Sequence, residues 1–151
     1  GGFGGPPPTG AFPGGARGGF GGGGTLTAAV TYVDQHGGGT IGVSSQSSAA
    51  TVILSSGGNV AGLGGFSGRE SSVTASWLAS EVSSGRPRWL LADGTQAGGL
   101  PGDTRTGSQS AFAIAERVAR RVTVTSSSGT TFTLYDLQGK AAAILAAVQS
   151  R

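Results

Sequence analysis

Beyond residue 24 the chain alternates between two hydrophobic periods. Leu26, Ala29, Val30 and Val33 recur at i, i+3, i+4 and i+7, the apolar stripe of a helix, with Thr25 placed to cap it and Gly37-Gly38-Gly39 to stop it. Thr40-Ile41-Gly42-Val43 then reads as a short strand, and after Ser44-Ser45-Gln46-Ser47 an Ala/Val/Ile/Leu-rich helix closes at Ser56-Gly57-Gly58. A second strand spans residues 59–63. A third helix carries Val73, Trp77, Leu78 and Val82 and ends before Gly85, and residues 88–92 supply a third strand. Ala111, Phe112, Ala115, Val118, Ala119 and Val122 mark a strongly periodic fourth helix. Residues 123–125, a turn at 126–129 and residues 131–137 form a hairpin-like pair. Ala141, Ile144, Leu145 and Val148 give a last helical face.

Short apolar strands alternating with helices predict an α/β fold. The expected architecture is a small, mostly parallel sheet with helices on both faces, a Rossmann-like three-layer arrangement, with an antiparallel edge near the C-terminus. Residues 25–151 make up this domain. Residues 1–24 carry neither period: they are Gly, Pro, Phe and Ala with one charge, Arg17, and read as a linker. Phe3, Phe12 and Phe20 recur along it, so a second reading has these aromatics docking on a neighbouring surface as an assembly tail.

The second strand breaks into Gly64-Gly65-Phe66-Ser67-Gly68 before the third helix. Glycines around one aromatic permit positive φ angles and leave amides bare. In open α/β sheets ligands sit beyond the carboxyl ends of the strands, here residues 44–46, 64–70 and 93–99. The candidate ligand-binding set is Ser45, Gln46, Gly64, Gly65, Phe66, Ser67, Gly68 and Glu70, with Arg69 beside them, suited to an anionic group such as phosphate or a sugar carboxylate. The competing reading is a tight turn in which Phe66 plugs the core. The loop fits neither the dinucleotide fingerprint nor the P-loop, lacking the spacing of the first and the Lys of the second. Residues 93–107 form a long polar loop of the kind that is functional or disordered.

Composition narrows the chemistry. With 151 residues, 36% of them hydrophobic and 31 glycines, the chain supports one modest core. The net charge of +3 comes from few acids and scattered bases; only Arg117, Arg120 and Arg121 cluster, too few for a nucleic-acid surface. The absence of cysteine excludes disulfides and thiol catalysis. Because no methionine occurs, even at position 1, the chain is expected to be a piece of something longer or a processed product. No apolar run approaches the ~20 residues of a membrane span, so any membrane segment is expected upstream of Gly1. The acids are isolated and none is paired at metal-ligand spacing; no metal, cofactor or catalytic residue is assigned. His36, at a helix end, reads as structural or solvated rather than as part of a Ser-His-Asp machine with Asp34. Trp77 and Trp89 are expected in or near the core, with the alternative that one lines a sugar platform.

Residues 44–50 (SSQSSAA), Val60 to Leu63 with the glycine loop, Thr74, Trp89-Leu90-Leu91-Ala92 and Leu134-Tyr135-Asp136-Leu137 together resemble the C-terminal domain of YkcA/YkcB-type mannosyltransferase-like proteins, over residues 26–137. These are similar to the multi-pass dolichyl-phosphate-mannose protein mannosyltransferases. Glu70 and Ser72 stand where the family commonly has an Asp and a Pro, and Arg117 where a Trp is usual. The resemblance implies that the catalytic acids and the polyprenyl-phosphate sugar site belong to a membrane-embedded portion. It further implies that this domain is an extracytoplasmic accessory unit that does not transfer sugar alone, with acceptor glycan or polyprenyl-phosphate sugar as its candidate partner. A competing expectation is a released extracellular fragment that self-assembles into a homo-oligomer or filament through its Phe-bearing tail. A small hydrolase or nucleotide-binding enzyme is the third reading.

Overall fold

The computed structural model describes residues 22–65, 72–92 and 107–150. Ten elements follow in the order α1 (Gly22–Gln35), β1 (Ile41–Val43), α2 (Gln46–Ser56), β2 (Val60–Gly62), α3 (Ala75–Ser83), β3 (Trp89–Leu91), α4 (Gln109–Val118), β4 (Arg120–Thr125), β5 (Thr131–Asp136) and α5 (Ala141–Gln149). The protein is thus α/β. Its five strands form one open sheet in the order β2-β1-β3-β5-β4.

The sheet is mixed. β2 and β3 both pair in parallel with β1, while β5 runs antiparallel to β3 and to β4. Half of the pairings are therefore antiparallel, which corrects the expectation of a mostly parallel sheet. The cause is a single strand: β5 alone opposes the direction of the other four, but it inserts between β3 and β4 and so converts two ladders. The antiparallel edge itself lies where the pattern placed it, in the β4–β5 hairpin.

Side chains of the short strands divide between two apolar clusters. Trp89 and Leu91 pack with Leu26, Ala29, Val30 and Val33 of α1 and Ala49 and Val52 of α2. Leu90 packs with Leu78, Ala79 and Val82 of α3, Phe112, Ile114 and Ala115 of α4 and Ile144 of α5. Leu134 and Tyr135 of β5 split the same way, as alternation along a strand requires. The i, i+3, i+4, i+7 stripe of α1 is buried throughout.

Local chemistry sets the helix ends. Ser45 caps α2, its Oγ accepting from the Ser48 amide at 3.3 Å, and Gly57 closes it in the left-handed region at φ 66°. Thr74 caps α3 in the same manner, accepting from the Trp77 amide at 3.1 Å. Three helix boundaries differ from the sequence pattern, the first being that α3 starts at Ala75, beyond Val73. Helix α1 begins at Gly22, inside the segment read as linker. Helix α4 ends at Val118, and Val122 lies in β4 opposite Leu134 rather than in the helix. From Arg121 the alternation Arg-Val-Thr-Val-Thr, with Val122 and Val124 packed inward, overrides the helical period that Val118 and Ala119 prolong.

At the amino end of the sheet the glycine run after α1 folds around Arg88 and Trp89. The Trp89 indole N–H donates to the Gly38 carbonyl at 3.1 Å, and the Arg88 guanidinium donates to the carbonyls of Gly37 and Gly38 while lying 5.2 Å from the Trp89 ring. A side chain at Gly39, whose φ is +113°, would come within 2.9 Å of Arg88.

Leu90→Ala is expected to lose about 2–5 kcal/mol, because a fully buried leucine leaves a cavity in a packed core. Leu54→Ala, at a position 87% exposed on α2, should stay within about 0.5 kcal/mol of the parent. Urea unfolding followed by circular dichroism compares the two, and equal losses would contradict the described packing.

Candidate functional site

Because β2, β1 and β3 are parallel, their carboxyl ends share one rim. The chain leaves β1 through α2 to β2 on one side, then crosses through α3 to β3 on the other, so β1 stands at a topological switch point. The segments after these strands begin with Ser44, Leu63 and Ala92.

Four of the eight predicted binding residues are described, and the fold brings them together at this rim. Past the end of β2 the pairing with β1 continues: the Leu63 amide donates to the Val43 carbonyl, the Gly64 amide to the Ser44 carbonyl and the Gln46 amide to the Gly65 carbonyl, at 2.9, 2.8 and 2.8 Å. Gly64 and Gly65 are buried. The expectation of bare amides is thus corrected at Gly64, whose N–H completes the ladder. Ser45 is also buried, and its hydroxyl is engaged within α2, donating to Ser48 Oγ at 2.8 Å. Gln46 is exposed beside them. Phe66, Ser67, Gly68 and Glu70 lie outside the described residues, as do Phe3, Phe12, Phe20 and residues 93–106 of the long loop.

Gly62 was missed by sequence reasoning. A β-carbon there would sit 2.5 Å from Gln46 Cα and 2.6 Å from Gln46 N, so only glycine lets the end of β2 pass under the start of α2. At Gly42 a β-carbon would instead meet side chains, those of Leu90 at 2.7 Å, Leu63 at 3.1 Å and Pro87 at 3.3 Å. An isolated glycine inside a strand pattern is the signal that marks such a close approach.

Trp77 corrects a second expectation. Trp89 is buried as predicted, but Trp77 is 45% exposed. Ala75, Leu78, Ala79 and Val82 already supply the i, i+3, i+4, i+7 face of α3 that turns inward, and that spacing leaves Trp77 outside it. The indole stands beside Leu63 between two adjoining concavities at the β2 edge. One, of about 500 Å³, lies toward the rim with Val73 and Thr74; the other, of about 430 Å³, runs toward Asn59, Glu81 and Arg86.

His36 ends α1 with its ring stacked on Tyr32, centroids 3.8 Å apart, and its Nδ1 2.7 Å from the Tyr32 carbonyl. This is the structural placement, far in the topology from the rim. Among the described residues no three His, Asp or Glu side chains gather in a group fit for a metal ion.

An open five-stranded mixed α/β sheet with a glycine-bounded carboxyl rim defines the class of this domain. Residues 26–116 match the family model described as "Putative mannosyltransferase YkcB-like, C-terminal", and the chain belongs to that family. The matched region runs from α1 through most of α4 and ends before the β4–β5 hairpin, short of Leu137 where the resemblance had been drawn. No curated protein and no solved structure matches the chain. No described helix is long and apolar enough to cross a membrane.

Gly62→Ala is expected to destabilise the protein by about 1–3 kcal/mol, since the intruding methyl meets backbone that cannot rotate away. Ser45→Ala should cost about 1 kcal/mol through the lost cap of α2. Thermal melts of both variants against the parent check the order.

Proposed function

We propose that this chain is a non-catalytic accessory domain of a membrane glycosyltransferase, on the extracytoplasmic side, where it meets acceptor glycan or a polyprenyl-phosphate sugar at the carboxyl rim of its sheet. The observation that carries the reading is membership of the YkcB-like C-terminal family. The rim adds support: a topological switch point is where open α/β sheets receive ligands, and Ser45, Gln46, Gly64 and Gly65 converge there. Among the described rim residues Gln46 presents its side chain to solvent and no acid–base pair stands beside it, which suits binding more than turnover. We read the architecture as three layers, with α1 and α2 on one face and α3, α4 and α5 on the other, because alternate residues of β3 and β5 divide between the two apolar clusters.

Isotope-labelled protein titrated with mannose 1-phosphate and with methyl α-mannopyranoside tests the rim by NMR. Amide shifts concentrated at Ser45, Gln46, Gly64 and Gly65 are expected. Silence of these amides toward both compounds would remove the rim from the proposal.

The self-assembly reading has one observation in its favour, the apolar surface of α2 at Ile53 and Leu54. Because α1 starts at Gly22, the informative deletion is residues 1–21, which spares the helix. Light scattering should show a loss of mass on deletion if the Phe-bearing tail joins subunits; a mass that stays in proportion to a single chain in both proteins ends that reading.

A further inference from the structure

The inward face of α3 is complete without Trp77, so packing does not account for its position. Single exposed apolar residues are ordinary on protein surfaces. What sets Trp77 apart is that, with Leu63, it lines both of two concavities, each within the size range of small-ligand sites. One turn further along α3, at i+4, stands Glu81, and across the groove are Asn59 and Arg86. The Asn59 Oδ1 accepts from Thr40 Oγ1 at 3.1 Å, which orients the carboxamide and leaves its NH2 as the available donor. Among the described residues the Glu81 carboxylate and the Arg86 guanidinium are not ion-paired, although both line the same groove.

We infer that this groove is a saccharide subsite, in which the Trp77 indole is the platform for a pyranose ring and Asn59, Glu81 and Arg86 hydrogen-bond its hydroxyls. The chemistry matches that ligand class. A pyranose has one face of C–H bonds, which packs on an aromatic ring, and an equator of hydroxyls that both donate and accept. Carboxamide, carboxylate and guanidinium are planar two-point groups that span neighbouring hydroxyls. One acid and one base beside each other give no net charge, which favours a neutral sugar over a phosphorylated one. Two concavities that share Trp77 suit a chain of sugar units rather than a monosaccharide.

An extended peptide is the alternative occupant, because β2 is an edge strand. The bonds from the Ile41 amide to the Asn59 carbonyl and from the Leu63 amide to the Val43 carbonyl turn the odd-numbered residues toward β1 and the backbone groups of Val60 and Gly62 outward. A strand only three residues long offers little of such pairing, whereas the planar polar groups have no part in it.

The inference rests on the reading that this domain meets glycan, and it names a place distinct from the rim. The full chain is titrated with linear mannotriose, cellotriose and methyl α-mannopyranoside, following the Trp77 indole N–H by NMR and acrylamide quenching of its fluorescence. A trisaccharide is expected to shift the Trp77 indole and shield it from quencher while the buried Trp89 stays unchanged. Trp77→Ala should weaken binding at least about tenfold, with Trp77→Phe retaining part of it and Glu81→Gln lowering it severalfold. Because Trp77 lies outside the core, an unchanged melting profile of these variants separates lost binding from lost fold. A Trp77 signal unmoved by all three sugars overturns the groove, and so does a Trp77→Ala protein that binds as the parent does. Shifts confined to Ser45, Gln46, Gly64 and Gly65 would sink the groove while sustaining the rim. A Trp77 response with silent rim amides would do the reverse.

Discussion

Three residues, Trp89, Leu90 and Leu91, hold this fold together. They form the strand that pairs in parallel with β1 and antiparallel with β5, so both halves of the sheet hang on one strand. Their side chains alternate between the two apolar clusters, and all three are almost wholly removed from solvent. A strand so short has few backbone bonds with which to fix its register, and it is anchored from outside. The Arg88 and Trp89 amides both donate to the Thr40 carbonyl, at 3.0 and 3.1 Å, and the Arg88 carbonyl accepts from Leu137 at 2.8 Å. The Trp89 indole and the Arg88 guanidinium add the grip on the glycine turn after α1.

Glycine does two different jobs in this chain. At Gly37, Gly38 and Gly39 it supplies positive φ, which shapes the turn that closes over Arg88. At Gly42 and Gly62 the need is for space instead, since neighbouring atoms occupy the volume a β-carbon would take. The carboxyl rim is compact for the second reason. With Gly62 under Gln46, the backbone past β2 keeps pairing with β1, and Gly64 and Gly65 become part of the sheet's finish rather than an open cradle.

The helical stripes and the order of elements were legible because each stripe is long enough to show its period and each is terminated by a cap or a glycine. Leu26, Ala29, Val30 and Val33 are the clearest instance. The family resemblance was legible too, from residues 44–50, Val60 to Leu63 with the glycine loop, Thr74, Trp89 to Ala92 and Leu134 to Leu137 taken in combination. Sheet direction was less so, because no local pattern tells whether β5 enters beside β3 or elsewhere. The change from α4 to β4 fell within residues that satisfy both periods, with Val118 and Ala119 on the helical side and Val122 and Val124 on the alternating one. Trp77 was misplaced by composition: an aromatic residue next to Leu78 suggests core, and only the finer spacing of Ala75, Leu78, Ala79 and Val82 shows that the inward positions were already taken.

The β4–β5 hairpin carries a consequence for where this unit can be cut. The family match ends at residue 116, yet Phe132 and Leu134 belong to one apolar cluster, and Tyr135, Leu137 and Ile144 to the other. A protein trimmed at the matched border would strip β3 of its β5 partner and open both interiors to water at once. A piece that keeps both clusters closed therefore reaches through α5. Evolutionary modules grafted or swapped at the shorter limit would arrive without the wall that seals them.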